Sequence, residues 1–177
     1  MKKYLETVRN HCPLVHNITN YVTVNDVANI ILACGASPIM ADEPEEVQEI
    51  TTICQGLNIN IGTLHKSSIE SMFLAGKKAN ELGHPVLLDP VGAGASTLRT
   101  QTAVKLMQEV RFSVIRGNTS EIKVLSGGMG GARGVDACET DIVTEETLEE
   151  AVAFCKSVCK ILWMHRGSNR CDRSGGR

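Results

Sequence analysis

The sequence predicts an α/β protein in which a mostly parallel β-sheet lies between two layers of helices. Short apolar or alternating runs, typical of strands, alternate along the chain with longer segments of helical periodicity. Parallel strands need crossover connections, and the helical segments between the strands supply them. The length of 177 residues is enough for one domain with a sizeable core. The expected architecture is therefore a three-layer sandwich.

Three strands are predicted in the first part of the chain, at residues 14–18, 37–41 and 57–62. The first two are short, and the third alternates apolar and polar residues. A helix is predicted at 24–34, with Gly35 following it as the residue that ends it. A second helix is predicted at 44–55, where Pro44 and a cluster of acidic residues suit the first turn.

The next predicted helix has the clearest pattern, because Ser67 and Glu70 have the spacing of a capping box and Gly83 follows the apolar face. Further strands are predicted at 86–88 and 112–115, and further helices at 97–110, at 119–125 and from Thr144 to about Cys159. The glycine-rich segment at 127–134 is interpreted as a loop.

Composition excludes several classes of function. The net charge of −2, with the two signs mixed along the chain, gives no nucleic-acid footprint. No apolar run has the length of a membrane span, and the first residues, MKKYLETVRN, lack the apolar core of a signal peptide. The cysteine count is odd and there is no C-x-x-C pair, which favours reduced thiols in a cytoplasmic protein. The cysteines are Cys12, Cys34, Cys54, Cys138, Cys155, Cys159 and Cys171.

Polar groups follow four of the predicted strands. They lie at residues 16–20, 40–42, 89–94 and 116–121. The carboxyl ends of parallel strands meet at one edge of the sheet, and ligands of α/β proteins bind beyond that edge. We therefore expect these four segments to converge on one site.

The segment PVLLDPVGAGAS, at 85–96, places a carboxylate at the end of an apolar strand and follows it with a loop of small residues. Such a loop lets an anion approach backbone N–H groups, and Asp89 beside it suits a magnesium ion. Arg116 is a permanent cation suited to phosphate, and Asn118 and Glu121 are spaced to face the same side. Together they indicate a magnesium–nucleotide site. The alternative is purely structural: Asp89 and Glu121 cap turns, and Arg116 pairs with one of them.

Common phosphate motifs are absent. The sequence has no G-x-x-x-x-G-K-[ST], and the segment at 127–134 does not fit G-x-G-x-x-G. His16 has two interpretations, as a ligand or base and as a packed histidine held by hydrogen bonds.

Several segments in the same order resemble hydroxyethylthiazole kinases, enzymes of thiamine salvage in the ribokinase-like superfamily. They are PLVHNITNYV, GASPIMA, LNINIGTL, PVLLDPVGAGA, IRGNTSEI and RGVDA. The resemblance runs from about residue 5 to about residue 160. It implies a ribokinase-like fold, a cytoplasmic enzyme, and transfer of a phosphoryl group from ATP, with Mg²⁺, to the hydroxyl of 4-methyl-5-(2-hydroxyethyl)thiazole.

The resemblance also implies roles for individual residues. Asn20 and Met40 match positions that line the thiazole pocket, with a place in the core as the alternative for Met40. Arg116 matches a residue that contacts ATP phosphates, and Asp89 an acid near them. The pair Asn118 and Glu121 matches an N-x-x-E pattern whose glutamate organises magnesium and its water. The family is typically a homotrimer that binds thiazole where subunits meet.

Two departures from the family pattern leave the activity open. The late G-[TA]-G-C motif, whose N–H groups form an anion hole and whose cysteine stands where relatives place a catalytic base, is absent, as is the preceding strand ending in V-T-G. No catalytic residue is therefore assigned. The alternative to a kinase is a remnant that binds ligand or associates without turnover. Another ribokinase-like kinase, such as one for a hydroxymethylpyrimidine, fits less well because HNITN and GASPIMA are present.

The last segment, WMHRGSNRCDRSGGR at 163–177, has no helical or strand periodicity. Read one base later, its codons permit Gly-Cys followed by an apolar run and V-T-G, which is what the thiazole kinases carry at this place. The expected organisation is thus a kinase domain at 1–162, incomplete at its carboxyl end, and an irregular, out-of-frame tail at 163–177.

Overall fold

The computed structural model describes residues 2–130, 148–149, 152–154 and 156–158. Five strands in this part of the chain form one sheet: β1 (Leu14–Ile18), β2 (Ser37–Met40), β3 (Gly56–Asn60), β4 (Val86–Asp89) and β5 (Val114–Ile115). Their order across the sheet is β2-β1-β3-β4-β5, and every neighbouring pair is parallel. The predicted parallel sheet is confirmed.

Six helices lie between residues 2 and 130. They are α1 (Lys2–His11), α2 (Val24–Cys34), α3 (Val47–Ile53), α4 (Lys66–Leu82), α5 (Thr97–Glu109) and α6 (Thr119–Gly130). The described residues between 148 and 158 are also helical, in agreement with the helix predicted there. None of the helices in the described part of the chain combines the length and the apolar content needed to cross a membrane.

The strand order places helices on both faces of the sheet. The chain steps from β1 to β2 in one direction and then reaches β3, β4 and β5 in the other. Because such crossovers are right-handed, α2 lies on one face and α3, α4 and α5 lie on the opposite face. The helix contacts agree, since α3 packs on α4, α4 on α5, and α1 on α2. The three-layer architecture predicted from the sequence is therefore confirmed.

The main core lies between the sheet and α4 and α5. Alternate residues of the central strands point to this side, and those of β1, β3 and β4 are at most 3% exposed. They are Ile18, Leu57, Ile59, Val86 and Leu88. Small residues of α4, Ala75 and Ala79, are fully buried against them and let the helix approach the sheet closely. This packing fixes where α4 and α5 lie along the strands, and therefore where these helices begin relative to the strand ends.

Most predicted boundaries agree with the structure within a few residues, and two helix starts differ. The predicted capping box of Ser67 and Glu70 is wrong, because α4 already begins at Lys66. Its N-cap is His65, whose backbone N–H donates to Ser68 Oγ at 3.0 Å. The helix predicted at 44–55 begins at Val47, after a turn. The glycine stops are confirmed, since the residues after α2 and α4 adopt φ of 92° and 74°.

Two helical features were not predicted from the sequence. Helix α1 was not predicted, although it spans ten residues; it has no buried residue and packs on α2. Helix α6 continues to Gly130, so the interpretation of 127–134 as a loop is wrong for its first four residues. The remainder of that segment and the predicted tail at 163–177 lie outside the described residues.

Candidate active site

The carboxyl ends of the five strands open on one edge of the sheet, as the sequence predicts for a parallel fold. Asn20 follows β1, Met40 ends β2, Asp89 ends β4 and Arg116 follows β5. The strand order reverses between β1 and β3, and such a reversal is where open α/β sheets bind ligands.

Asp89 and Arg116 form an ion pair at the end of β4 and β5. Arg116 Nη1 donates to Asp89 Oδ2 at 2.9 Å. The Asp89 side chain is 13% exposed, whereas that of Arg116 is 75% exposed. The structural alternative of the sequence analysis, in which Arg116 pairs with an acid, is therefore observed. It leaves a guanidinium that faces solvent, with a planar fork of donors suited to phosphate.

Asn118 and Glu121 cap helix α6 reciprocally. The backbone N–H of Asn118 donates to Glu121 Oε2 at 2.9 Å, and that of Glu121 donates to Asn118 Oδ1 at 2.8 Å. Glu121 Oε1 also accepts from the backbone N–H of Gly92 at 2.8 Å, which ties the glycine loop to α6. Each carboxylate oxygen has two lone pairs, so these bonds leave Glu121 with acceptor capacity for a cation or its water.

The glycine loop has a different role from the one expected. The backbone N–H groups of residues 92–95 all donate within the protein, to Glu121, Pro90, Thr100 and Gly92. The loop is thus a tight turn in this structure, and its N–H groups are not directed at an anion. Glycine is favoured at position 92 by a φ of 73°, and a Cβ there would also force Nη1 of Arg99 to move.

Arg99, which the sequence analysis missed, clamps this loop. Its Nη1 donates to the carbonyl of Val91 at 3.1 Å and its Nη2 to the carbonyl of Gly62 at 2.7 Å. The guanidinium therefore joins the loop after β4 to the loop after β3. The only signal in the sequence was an arginine in the first turn of a helix, where the helix dipole disfavours a positive charge.

One cavity collects the predicted nucleotide and metal residues. Its volume is 320 Å³, and its lining comprises Asp89, Val91, Arg116, Gly117, Asn118 and Glu121. All four residues predicted to contact ATP or magnesium are among these six. Within the described residues there is no group of three or more His, Cys, Asp or Glu side chains that could hold a metal ion on its own.

A chain of side-chain hydrogen bonds leads from this cavity to Asn20. Asn60, at the end of β3, donates from Nδ2 to Asp89 Oδ2 at 3.0 Å. Asn20 Nδ2 in turn donates to Asn60 Oδ1 at 3.0 Å. Asn20 and Asn60 are 9% and 8% exposed. Asn60 was also missed, because its polar position within LNINIG looked like ordinary strand alternation.

The two residues predicted to contact thiazole lie at the ends of neighbouring strands. Asn20 is buried, and its Oδ1 accepts from the backbone N–H and the hydroxyl of Thr23, both at 3.1 Å. Met40 pairs in register with Asn17 of β1 and is 37% exposed, so it is not a core residue. The structure thus places a fixed amide and a partly exposed, polarizable side chain at one end of the edge.

His16 is a packed histidine. Its Nε2 donates to the carbonyl of Ala41 at 2.9 Å, and its Nδ1 lies 3.0 Å from Thr51 Oγ1. The pKa of His16 is lowered, because the effect of burial outweighs the bond to Ala41 and the charge of Glu46, which both raise it. A neutral, fully buried imidazole with both nitrogens engaged supports the end of β2 and is not placed to act as a base.

Comparison with known proteins gives a consistent result. The model of the hydroxyethylthiazole kinase family matches residues 5–162. The chain is 64% identical over 160 residues to a protein of Clostridium acetobutylicum named hydroxyethylthiazole kinase, covering 90% of this chain and 59% of that one. It is 58% identical over 152 residues to a protein of the same name from Desulfovibrio desulfuricans, covering 86% and 53%.

A solved structure shares the fold. The hydroxyethylthiazole kinase protein of Pyrococcus horikoshii OT3 superposes with a TM-score of 0.79 at 39% identity, over 92% of this chain and 58% of that one. The chain spans between about half and three-fifths of the length of these relatives.

Proposed function

Because this chain belongs to the hydroxyethylthiazole kinase family, we propose that it catalyses the ATP-dependent phosphorylation of 4-methyl-5-(2-hydroxyethyl)thiazole in thiamine biosynthesis and salvage. The observation that carries the proposal is the convergence of Asp89, Arg116, Asn118 and Glu121 on one cavity. These are the residues that the sequence assigns to nucleotide and metal, and Asp89 and Arg116 belong to a polar chain that reaches Asn20.

In this proposal the cavity holds the phosphates of ATP. Arg116 offers a solvent-facing guanidinium that is held in place by Asp89, and Asn118 lies at the amino terminus of α6, where the helix dipole favours negative charge. Phosphoryl transfer depends on positioning and on neutralising charge more than on covalent chemistry. A fixed arginine and a helix start beside two acids meet that requirement.

The residues present also fit magnesium. Mg²⁺ in nucleotide sites is held by one or two carboxylates, several waters and the substrate phosphates. Asp89 and Glu121, the two acids of the cavity, would hold it in that way. When bound, the ion neutralises charge on the phosphates.

Asn20 and Met40 are proposed to contact the thiazole. In the reaction, the hydroxyl oxygen of the alcohol attacks the γ-phosphorus, the bond to the β–γ bridging oxygen breaks, and ADP leaves while the hydroxyl proton is released. The residue that accepts this proton is not assigned, since no described side chain of the cavity matches the cysteine of the family's late glycine-rich motif.

Assembly into a homotrimer belongs to the same proposal. Helix α2 and the segment before it carry apolar side chains that the described part of the chain leaves uncovered: Tyr21, Val22, Ile30 and Leu32 are 57–83% exposed. Tyr21 and Val22, which belong to this exposed surface, directly follow Asn20 in the sequence. Light scattering on the purified chain would test the trimer. The cysteines described as free, Cys12, Cys34 and Cys54, agree with the cytoplasmic location proposed from the sequence.

The test of the function is direct. The purified 177-residue chain is incubated with hydroxyethylthiazole, ATP and Mg²⁺, and the phosphorylated thiazole and ADP are quantified by mass spectrometry. We expect equimolar formation of both products, and loss of both in Glu121→Gln. A hydroxymethylpyrimidine serves as the competing substrate.

Two other results would change the conclusion. Preferential phosphorylation of the pyrimidine would reject the substrate. Binding of thiazole and MgATP by calorimetry without product would reject the kinase activity for this chain and favour the remnant that binds without turnover.

A further inference from the structure

Asn60 lies where the two sides of the proposed site meet. It is the last residue of β3, and β3 stands between β1, which leads to Asn20, and β4, which ends in Asp89. Its side chain is almost fully buried and belongs to neither group of predicted ligand contacts. A buried polar side chain needs partners, and those of Asn60 come from both neighbouring strand ends.

The bonds of Asn60 determine which way its amide points. A carboxylate oxygen only accepts, so the group that faces Asp89 Oδ2 at 3.0 Å is the NH₂. Oδ1 then faces the other way, where it accepts from Asn20 Nδ2 at 3.0 Å and from the backbone N–H of Gly62 at 2.8 Å. Because Asn20 Nδ2 donates to Asn60 Oδ1, the amide of Asn20 is oriented as well, and its own Oδ1 faces Thr23.

The orientation of Asp89 is set by the same residue. Asn60 Nδ2 and Arg116 Nη1 both donate to Oδ2, from the two neighbouring strands. The carboxylate is therefore held from both sides, and its rotation about the side-chain bond is restricted. The amide of Asn60 thus orients Asn20, after β1, and Asp89, at the end of β4.

We propose that Asn60 is a positioning residue that holds Asn20 and Asp89 in a fixed relation, so that the thiazole alcohol and the magnesium-bound nucleotide meet in reacting geometry. This inference rests on the proposed function and adds a residue to it. Asn60 acts through its two neighbours. Its donor-and-acceptor character is what the role needs, because a side chain that only accepts cannot serve Asp89.

The decisive variant is Asn60→Asp, which keeps the shape and replaces the donor to Asp89 with a second carboxylate oxygen. Two carboxylates at this distance repel each other, so Asp89 loses its fixed orientation in this variant. We expect Asn60→Asp to weaken a magnesium complex of a non-hydrolysable ATP analogue at least about tenfold, since the loss of a hydrogen bond to a charged group is of that order. Hydroxyethylthiazole should weaken less than about threefold, because the variant keeps an oxygen that accepts from Asn20 Nδ2.

Asn58→Asp is the matched control. Asn58 lies two residues earlier on the same face of β3, and its Nδ2 donates to Asn17 Oδ1 at 3.1 Å, away from Asp89. We expect it to change both dissociation constants less than about threefold. Calorimetry measures both ligands, and thermal unfolding checks that each variant is folded.

Asn60→Ser removes the contacts to both neighbours, and it keeps the test valid if Asn60→Asp does not fold. The shorter neutral side chain loses the bonds to Asn20 and Asp89, and we expect both ligands to weaken at least about fivefold. Dissociation constants of Asn60→Ser within about threefold of the wild type, a loss confined to one ligand in Asn60→Ser, or equal losses of both ligands in Asn60→Asp would overturn the inference. If the wild-type chain binds neither ligand, the proposed function itself is rejected, and the inference falls with it.

Discussion

The two ends of the sheet edge are built differently. At the end of β4 and β5, charged side chains are tied to each other and to backbone: Asp89 to Arg116, and Glu121 to the N–H groups of residues 92 and 118. At the end of β1 and β2 lie the buried amide of Asn20, the partly exposed Met40 and a carboxylate, Asp42, that accepts from the Tyr21 hydroxyl at 2.9 Å. Charge needs fixed partners to be useful to a phosphate, whereas a neutral ring needs an apolar wall and one polar contact. The difference supports a nucleotide at one end and a thiazole at the other.

Removing the charge of Arg116 tests the nucleotide end most strongly. We expect Arg116→Gln to lower kcat/KM for ATP by about 10²- to 10³-fold, the range for losing one preorganised donor at a developing charge. The dissociation constant of hydroxyethylthiazole should stay within about twofold, because Arg116 reaches Asn20 only through Asp89 and Asn60, and the bond between Asn60 and Asn20 is kept. Steady-state kinetics and calorimetry measure the two quantities.

Arg111→Gln is the control for that change, because Arg111 is also exposed and its guanidinium bonds Asn80 away from the cavity. Equal losses in the two arginine variants, or a loss of thiazole affinity equal to that of ATP, would remove the distinction between the two ends.

The rigidity of the nucleotide end can be tested at two glycines. Gly92 and Gly83 have nearly the same φ, 73° and 74°, but a Cβ at Gly92 would meet Arg99 Nη1, whereas at Gly83 no atom lies within 4 Å. Gly83→Ala should cost about 1–2 kcal/mol, the cost of a left-handed backbone with a side chain. Gly92→Ala should cost about 1–2 kcal/mol more, because the Arg99 guanidinium must move and lose its bonds to the carbonyls of Val91 and Gly62, and it should weaken ATP binding.

Urea denaturation of the two variants measures these costs, and their difference isolates the clamp made by Arg99. Equal destabilisation would show that Arg99 moves aside from a Cβ at position 92 without cost. A stable Gly92→Ala with unchanged ATP affinity would show that the turn does not support the cavity.

The contrast between these ends was partly predictable from the sequence. The bounds of β1 and α2 and both glycine stops were predicted, because apolar periodicity and left-handed glycines are local signals. Asn60 and Arg99 were missed because their partners lie 29–40 and 8–37 positions away in the chain. No local pattern encodes which strand ends become neighbours until the sheet order is known.

The nucleotide and metal residues could be predicted with little knowledge of the strand order. They are Asp89, Arg116, Asn118 and Glu121. A carboxylate at a strand end and an arginine after the next strand indicate the same edge in any parallel sheet, so their convergence could be predicted. Capping by Glu121 was predicted as an alternative to metal binding, and the structure shows the capping bonds that it makes with Asn118. The role expected for the glycine loop was wrong, because its N–H groups serve the turn.

Met40 tests the substrate end. We expect Met40→Ala to raise the KM for hydroxyethylthiazole about 5- to 10-fold, since truncating a partly exposed apolar contact lies at the low end, about 1 kcal/mol, of the range for apolar contacts in pockets. The KM for ATP should not change. Ile53→Ala is the control, because Ile53 is 56% exposed at the end of α3, ahead of β3 and thus at the opposite edge of the sheet. If the two variants behave alike, or if ATP is affected more than thiazole, Met40 is not part of the pocket.

The smallest expected effect concerns His16, beneath the substrate end. Burial lowers the pKa of His16 in the folded protein from its ordinary value of 6.5. Between that lowered pKa and 6.5 the unfolded chain binds a proton that the folded chain does not, so stability falls as pH decreases through this window. Each tenfold change in proton affinity is worth about 1.4 kcal/mol. His16→Gln, whose amide can donate to the carbonyl of Ala41, should remove this part of the pH dependence of unfolding, measured between about pH 5 and 7. His11→Gln, at an exposed histidine of α1, should retain it. A slope that survives in His16→Gln would mean that other groups destabilise the fold on acidification, and that the buried imidazole is not what links the end of β2 to pH.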